Sequence, residues 1–228
     1  SRSNKIPRRH DDDEPPQNSR PKRPEKRRAT KLRIIGGSMR GRTVMYHGSE
    51  ITRPMKDSVR ESLFNILGPA IKGANAIDLF AGTGAVSFEA LSRGAGRAFA
   101  VERNRRALSF IKSTSETLDV QDRIQILGGD AFRLGADLLG PPSTDAPPDD
   151  TPRVVFLCPP YAMWEDSLDA LTTLIRLAMN HSAPGSILVA ETDKHYDAEK
   201  LPPGDWDHRL YGGTRLSFIQ PQMICGLR

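Results

Sequence analysis

From Ala74 onward the chain alternates short apolar runs with helical patterns, and this rhythm restricts it to a mostly parallel sheet with crossover helices. Strand-like runs fall near residues 74–80, 98–102, 123–127, 153–157 and 186–191, and helical patterns near 85–93, 104–118, 131–139 and 165–180. Strand, helix and strand in succession build parallel neighbours joined by right-handed crossovers. Val154-Val155-Phe156-Leu157 is continuously apolar, as a strand covered on both faces should be. After Trp206 the helical connectors stop. Two strand-like runs, Trp206 to Tyr211 and Arg215 to Ile219, flank Gly212-Gly213 and predict a closing antiparallel hairpin. The expected fold class is α/β, a doubly wound sheet with helices on both faces.

Upstream of this body the composition changes. Residues 1–31 hold eleven Lys or Arg against five acids and almost no large apolar side chains, so they cannot bury enough surface to offset the entropy of ordering. They read as a disordered basic tail, with order starting at Leu32. Leu32-Arg33-Ile34-Ile35, Gly36-Gly37 and Arg40 to Met45 predict a small hairpin, and Val59, Leu63, Phe64, Ile66 and Leu67 mark a helix ending near Gly68-Pro69. Three parts result: tail 1–31, hairpin and helix 32–69, and a body 70–228. Residues 32–60 carry six Lys or Arg against two acids, so an anionic partner should meet this end; a merely solvated charge run is the alternative. Residues 141–150, rich in Pro, Ser and Asp, read as a surface insertion.

Cys158 and Cys225 are the only cysteines, too few for a disulfide framework and without zinc-like spacing. No apolar run approaches the length of a membrane span, and no apolar signal core follows the basic start. A cytoplasmic protein without membrane or metal, and a monomer, is the expectation.

Asp78-Leu79-Phe80-Ala81-Gly82-Thr83-Gly84 ends the first strand of the body and opens a helix, where glycines let backbone approach a ligand closely. The dinucleotide pattern fails, because Ser87 occupies the third glycine position, and this counts against NAD. Glu102 ends the next strand, where a carboxylate can accept hydrogen bonds from ribose hydroxyls. Asp130, after Gly128-Gly129, ends the third and with its neighbour's backbone can read an adenine edge. Either acid could instead be a helix cap.

With Asp78, Phe80, Gly82, Gly84, Glu102, Asp130 and Cys158-Pro159-Pro160-Tyr161 after the fourth strand, the chain resembles class I S-adenosylmethionine-dependent methyltransferases. The segment from Leu32 to Arg42, Arg53-Pro54, Asp57 to Asn65 and Tyr211-Gly212-x-Thr214-x-Leu216 narrow the resemblance to the RsmD family, which methylates guanine N2 in bacterial small-subunit ribosomal RNA. It runs from about Leu32 to Pro221. It implies a Rossmann-like fold with a seven-stranded sheet. It also implies that Asp78, Gly82 and Gly84 line the methionine part of S-adenosylmethionine, that Phe80 belongs to the same cofactor site, that Glu102 holds the ribose, and that Asp130 with Ala131 contacts adenine. Arg33, Arg40, Arg42 and Arg53 would face ribosomal RNA, binding phosphate in a salt-dependent way.

The resemblance has one departure. In amino-group methyltransferases the tetrapeptide begins with Asp or Asn, whose oxygen orients an amine that is otherwise a poor nucleophile; Tyr161 would stack on an extruded base, and the Pro159 carbonyl would assist. Cys158 is a weak acceptor as a thiol and a charged one as a thiolate. Losing one placed acceptor costs on the order of a hundredfold to a thousandfold in rate. Cys158 as a covalent nucleophile, and a chain that binds cofactor or RNA without turnover, are the competing readings; DNA adenine and protein glutamine are the competing substrates.

Overall fold

The computed structural model describes residues 29–47, 54–141 and 149–221. Arg53, Cys225, residues 1–28 of the tail and residues 142–148 of the insertion lie outside the described residues.

A two-stranded ribbon comes first: β1 (Ala29–Arg33) pairs antiparallel with β2 (Thr43–His47), Leu32 opposite Val44. Strand structure thus begins at Ala29 rather than at Leu32, and the second strand starts at Thr43 rather than at Arg40. The delay has a local cause, since Ile34 to Arg42 close a turn in which the Gly41 N–H donates to Ile34 O and the Arg42 N–H to Met39 O. Next come α1 (Asp57–Leu67) and a 3-10 turn (Gly68–Ile71). The body is then β3 (Asn75–Asp78), α2 (Ala85–Ser92), β4 (Arg97–Glu102), α3 (Arg105–Leu118), β5 (Ile124–Gly128), α4 (Ala131–Leu139), β6 (Arg153–Leu157), α5 (Met163–Asp166), α6 (Leu168–His181), β7 (Ile187–Asp193), β8 (Asp207–Tyr211) and β9 (Thr214–Ile219). The pattern at 165–180 therefore forms two helices: Ser167, at φ −137° and ψ 28°, breaks the helical path between them.

The sheet order is β5-β4-β3-β6-β7-β9-β8; the first five strands are parallel, and β9 runs antiparallel to both β7 and β8. Strand order reverses between β3 and β6, so the crevice at their carboxyl ends is where ligands of such sheets bind. Side chains alternate across the sheet: Val154 and Phe156 enter the core under α1, α2 and α3, whereas Val155 and Leu157 enter the core under α4 and α6. Both faces being covered explains why β6 has no polar residue after Arg153.

Every residue of α2 is buried, including Ser87, Glu89 and Ser92. A buried helix with polar side chains needs partners for them, and here they tie the N-terminal segment to the body. The Glu89 carboxylate accepts the Ile35 and Gly36 N–H groups at 2.8 Å each and the Arg93 Nε–H at 2.9 Å. Arg60, fully buried, donates to the carbonyls of Arg33 and Met55 and to Asp57, with its Nε 3.7 Å from Glu89. Ser92 accepts from the Met39 N–H and donates to the Gly36 carbonyl.

The approach at Gly37 leaves no room for a side chain. With φ at +78°, a Cβ there would lie 1.9 Å from the Ser92 carbonyl oxygen, whereas at Gly41, with φ at +81°, a Cβ would meet nothing within 4 Å. Alanine at either site carries the left-handed penalty of roughly 1 kcal/mol; only Gly37→Ala adds the collision, for a total of about 2–4 kcal/mol. Urea unfolding of the two variants in parallel checks this, and equal losses would remove the steric argument.

Candidate active site at the carboxyl edge of the sheet

Asp78 ends β3 and is buried in the crevice, where it accepts the Ser87 hydroxyl at 2.8 Å. Burial pushes its carboxyl up to about 7, with the nearby Glu102 adding to the rise against the Ser87 hydrogen bond. Among the described residues no cation offsets it. Glu102, at the end of β4, accepts the Gly82 N–H and the Asn104 N–H at 2.8 Å each, so it fixes the glycine loop to the next strand. Gly82 has φ +53°, and the only heavy atom a Cβ there would meet is the Phe80 carbonyl oxygen at 4.0 Å. The loop thus presents bare backbone to open space beside two carboxylates.

Asp130 caps α4, its Oδ1 accepting the Arg133 N–H at 2.9 Å, and Ala131 follows as the first helical residue. Capping and ligand contact are compatible, since a cap uses one face of one carboxylate oxygen. Phe80 packs edge-on against Phe132 with ring centroids 6.0 Å apart, so it forms a wall between the glycine loop and α4. These residues fit a nucleoside whose far end is cationic: an acid for the ribose, a backbone cradle, and a buried uncompensated carboxylate for positive charge.

The Cys158 tetrapeptide follows β6. Pro159 is buried; Pro160 and Tyr161 are exposed, Tyr161 at 39%. Cys158 projects to the same side as Asp78, packing against the core under α1, α2 and α3. Burial, reinforced by the charges of Glu191 and Asp78 and a hydrogen bond to Glu191, pushes its thiol well above the ordinary range. Burial and the two neighbouring carboxylates thus favour the neutral thiol, which weighs against a resting thiolate nucleophile.

Sequence reasoning missed Glu191. The Tyr161 hydroxyl donates to Glu191 Oε1 at 3.1 Å and lies 2.9 Å from Thr214 Oγ1 on β9; with the phenol proton given to Glu191, the threonine hydroxyl is the donor in the second bond. Trp164, buried on α5, donates its indole N–H to the Glu191 carbonyl at 2.8 Å and holds that strand end in place. Burial raises the Glu191 carboxyl, and hydrogen bonds from Tyr161 and Cys158 partly counter it. Tyr161 itself is pushed up to about 12, first by burial, so the phenol stays protonated. A signal for Glu191 existed: it is an acid following an apolar strand, the same logic that singles out Glu102 and Asp130.

The candidate RNA-facing arginines sit elsewhere. Arg33 and Arg40 are exposed, and Arg42 donates to the Thr117 carbonyl at 2.8 Å, in the last turn of α3. Because α2 and α3 run antiparallel to their strands, their C-termini lie at the amino edge of the sheet. Arg42 is therefore on the order of 20 Å, one length of α3, from the Glu102 end. Among the described residues no group of three or more His, Cys, Asp or Glu is placed to hold a metal ion, and no helix is long and apolar enough to cross a membrane.

Comparison with known proteins bears on this geometry. Residues 32–220 match the family model described as Conserved hypothetical protein 95. YlbH of Bacillus subtilis, provisionally named an rRNA methyltransferase, is 37% identical over 166 residues, covering 73% of this chain and 85% of that protein. Ribosomal RNA small subunit methyltransferase D of Haemophilus influenzae is 31% identical over 176 residues, 77% of this chain and 84% of its own. The solved structure of yhhF from Escherichia coli, provisionally named a methyltransferase, superposes with a TM-score of 0.64 at 27% identity, over 85% of this chain and 99% of that one.

Proposed function

Given that the chain belongs to the Conserved hypothetical protein 95 family, which is the RsmD family of class I methyltransferases, we propose that it methylates the N2 amine of a guanine in small-subunit ribosomal RNA, using S-adenosylmethionine. The observation that carries the reading is the meeting of two half-sites at the strand-order reversal: Asp78, Gly82 and Glu102 on one side, and Cys158 to Tyr161 with Glu191 on the other. When bound, the cofactor supplies an electrophilic methyl on a sulfonium centre.

Glu102 would hold the ribose hydroxyls, Asp130 and Ala131 the adenine, and Asp78 the positive charge of the methionine end. The exposed ring of Tyr161 offers an extruded base a stacking surface, and its hydroxyl bonds to Glu191 and Thr214 fix the angle of that ring. Pro159 and Pro160 restrict the loop, so the backbone carbonyls beside Cys158 keep one direction. Arg33, Arg40 and Arg42, far from the acceptor crevice, would bind phosphates of a remote part of the same RNA, as expected of contacts that position without reading sequence. A ribosomal particle presents such a surface.

Methyl-labelled cofactor incubated with unmethylated small-subunit particles tests the assignment, with the modified base mapped. Label on guanine N2 is the expected outcome; label on plasmid DNA or on protein, or bound cofactor without transfer to RNA, overturns it. Glu102→Ala should weaken cofactor binding by about a hundredfold, because it removes a charged acceptor for the ribose and leaves the Gly82 and Asn104 N–H groups unpaired. Titration calorimetry measures the change; a loss under threefold would remove Glu102 from the cofactor site.

A further inference from the structure

We propose that Glu191 is the proton acceptor for the target amine, supplying from β7 the carboxylate that position 158 lacks on β6. The inference rests on reading the chain as an amine methyltransferase. In the parallel register Leu157 lies abreast of Ala190, so Cys158 and Glu191 follow as neighbours at the two strand ends. Adjacent strands are about 4.8 Å apart. Phe156 and Val189 enter the core under α1, α2 and α3, and side chains two residues on, Cys158 and Glu191, return to that face beside Asp78. A carboxylate at 191 therefore stands one strand spacing from the place where the tetrapeptide would carry its own.

The surroundings of Glu191 suit a base. The Cys158 thiol faces it from β6, Tyr161 from the following loop and Thr214 from β9, with Asp78 beyond Cys158 and Asp193 beyond Tyr161. Every donor among these is neutral, so no salt bridge competes for a proton. Asp78 is the other carboxylate near Cys158, but it is 2% exposed and engaged by Ser87, whereas Glu191 is only half-buried and can pass a proton to solvent. As the amine lone pair bonds to the methyl carbon, the carbon–sulfur bond breaks and sulfur keeps the electron pair. The nitrogen then carries one proton too many, and a Glu191 oxygen takes it.

Glu191→Gln separates this role from a structural one, because glutamine can accept the same bond from Tyr161. With labelled cofactor and unmethylated small-subunit particles, kcat should fall about a hundredfold or more, with cofactor Kd within twofold of the unaltered chain. At saturating cofactor, whose cationic end holds Asp78 charged, the unaltered chain should lose kcat as pH falls through the raised range of the Glu191 carboxyl, and Glu191→Gln should abolish that acid limb. Adding Cys158→Asp to Glu191→Gln, which moves the carboxylate one strand over, should restore at least tenfold. Turnover within threefold of the unaltered chain, or a retained acid limb, overturns the proposal while leaving the methyltransferase reading intact; an unaltered chain that transfers no methyl sinks both. If Glu191→Gln fails to fold, Tyr161→Phe decides: losing the phenol's hydrogen bond should move the acid limb to higher pH, and an unmoved limb counts against Glu191.

Discussion

Glu89→Ala is expected to cost about 3–5 kcal/mol, the range for breaking a buried ion pair by deleting one partner. The substitution strands the buried Arg60 and the partly exposed Arg93, and orphans two backbone N–H groups, those of Ile35 and Gly36, at once. Those amides belong to the segment that the ribbon hangs from, so its docking should fail before the sheet does. Urea unfolding should show a lower midpoint, and trypsin should cleave after Arg40 or Arg42 at concentrations that leave those two bonds of the unaltered chain intact. Glu89→Gln should lose less, keeping one acceptor oxygen for the amides while discarding the charge. A loss under 1 kcal/mol in the alanine variant would mean that the N-terminal segment is held by its apolar contacts, Ile34, Met39 and Val44, and not by this carboxylate.

Asp78→Asn should have two opposed effects. The Asp78 carboxyl is raised from 3.8 to about 7 in the folded chain, so between those values the folded state binds more protons than the unfolded one. Stability is then fully present below about pH 4 and falls as pH rises through 7. A shift of this size is worth on the order of 4 kcal/mol at pH 8. Asparagine removes the buried charge and can still accept the Ser87 hydroxyl. Without ligand, the variant should melt several degrees higher at pH 8, with little difference only below about pH 4, and thermal scans on the two sides of this window read it directly. The cofactor should then stabilise the unaltered chain and leave the variant almost unmoved, since the amide offers no charge to a cationic ligand. A variant that melts lower at pH 8, or that retains the cofactor-induced rise, would contradict the role assigned to this residue.

Much of the body was legible because parallel βα units write themselves as contiguous apolar runs and helical patterns; β6 at Arg153–Leu157 and α4 at Ala131–Leu139 fall where the patterns predict. The acids at strand ends are legible for the same reason, each being the first polar group after a buried run. What escaped was long-range pairing. Arg60 lies on the buried face of α1 with Val59, Leu63 and Phe64, a position that the pattern assigns to an apolar side chain; besides the local Asp57 and Met55 carbonyl, Glu89 and the Arg33 carbonyl, from distant parts of the sequence, make a cation tolerable there. Glu191 was passed over because β7 was read only as a strand, and its partner Tyr161 lies thirty residues earlier. Arg42 illustrates the converse: as a cation in a basic stretch it reads as free for RNA, yet its guanidinium is hydrogen-bonded to the end of α3.

The strand order also fixes a timetable. β3 ends at Asp78, but its neighbour β6 begins only at Arg153, and β9, which carries Thr214, comes last in the sheet. A chain leaving the ribosome N-terminus first thus assembles β3, β4 and β5 with their three acids while the other half of the crevice is still unsynthesised. During that interval β3 is an edge, with unpaired N–H and C=O groups and no neighbour beyond it, the condition under which strands pair wrongly. Nascent-chain handling, as much as final stability, should therefore govern how much active protein a cell obtains.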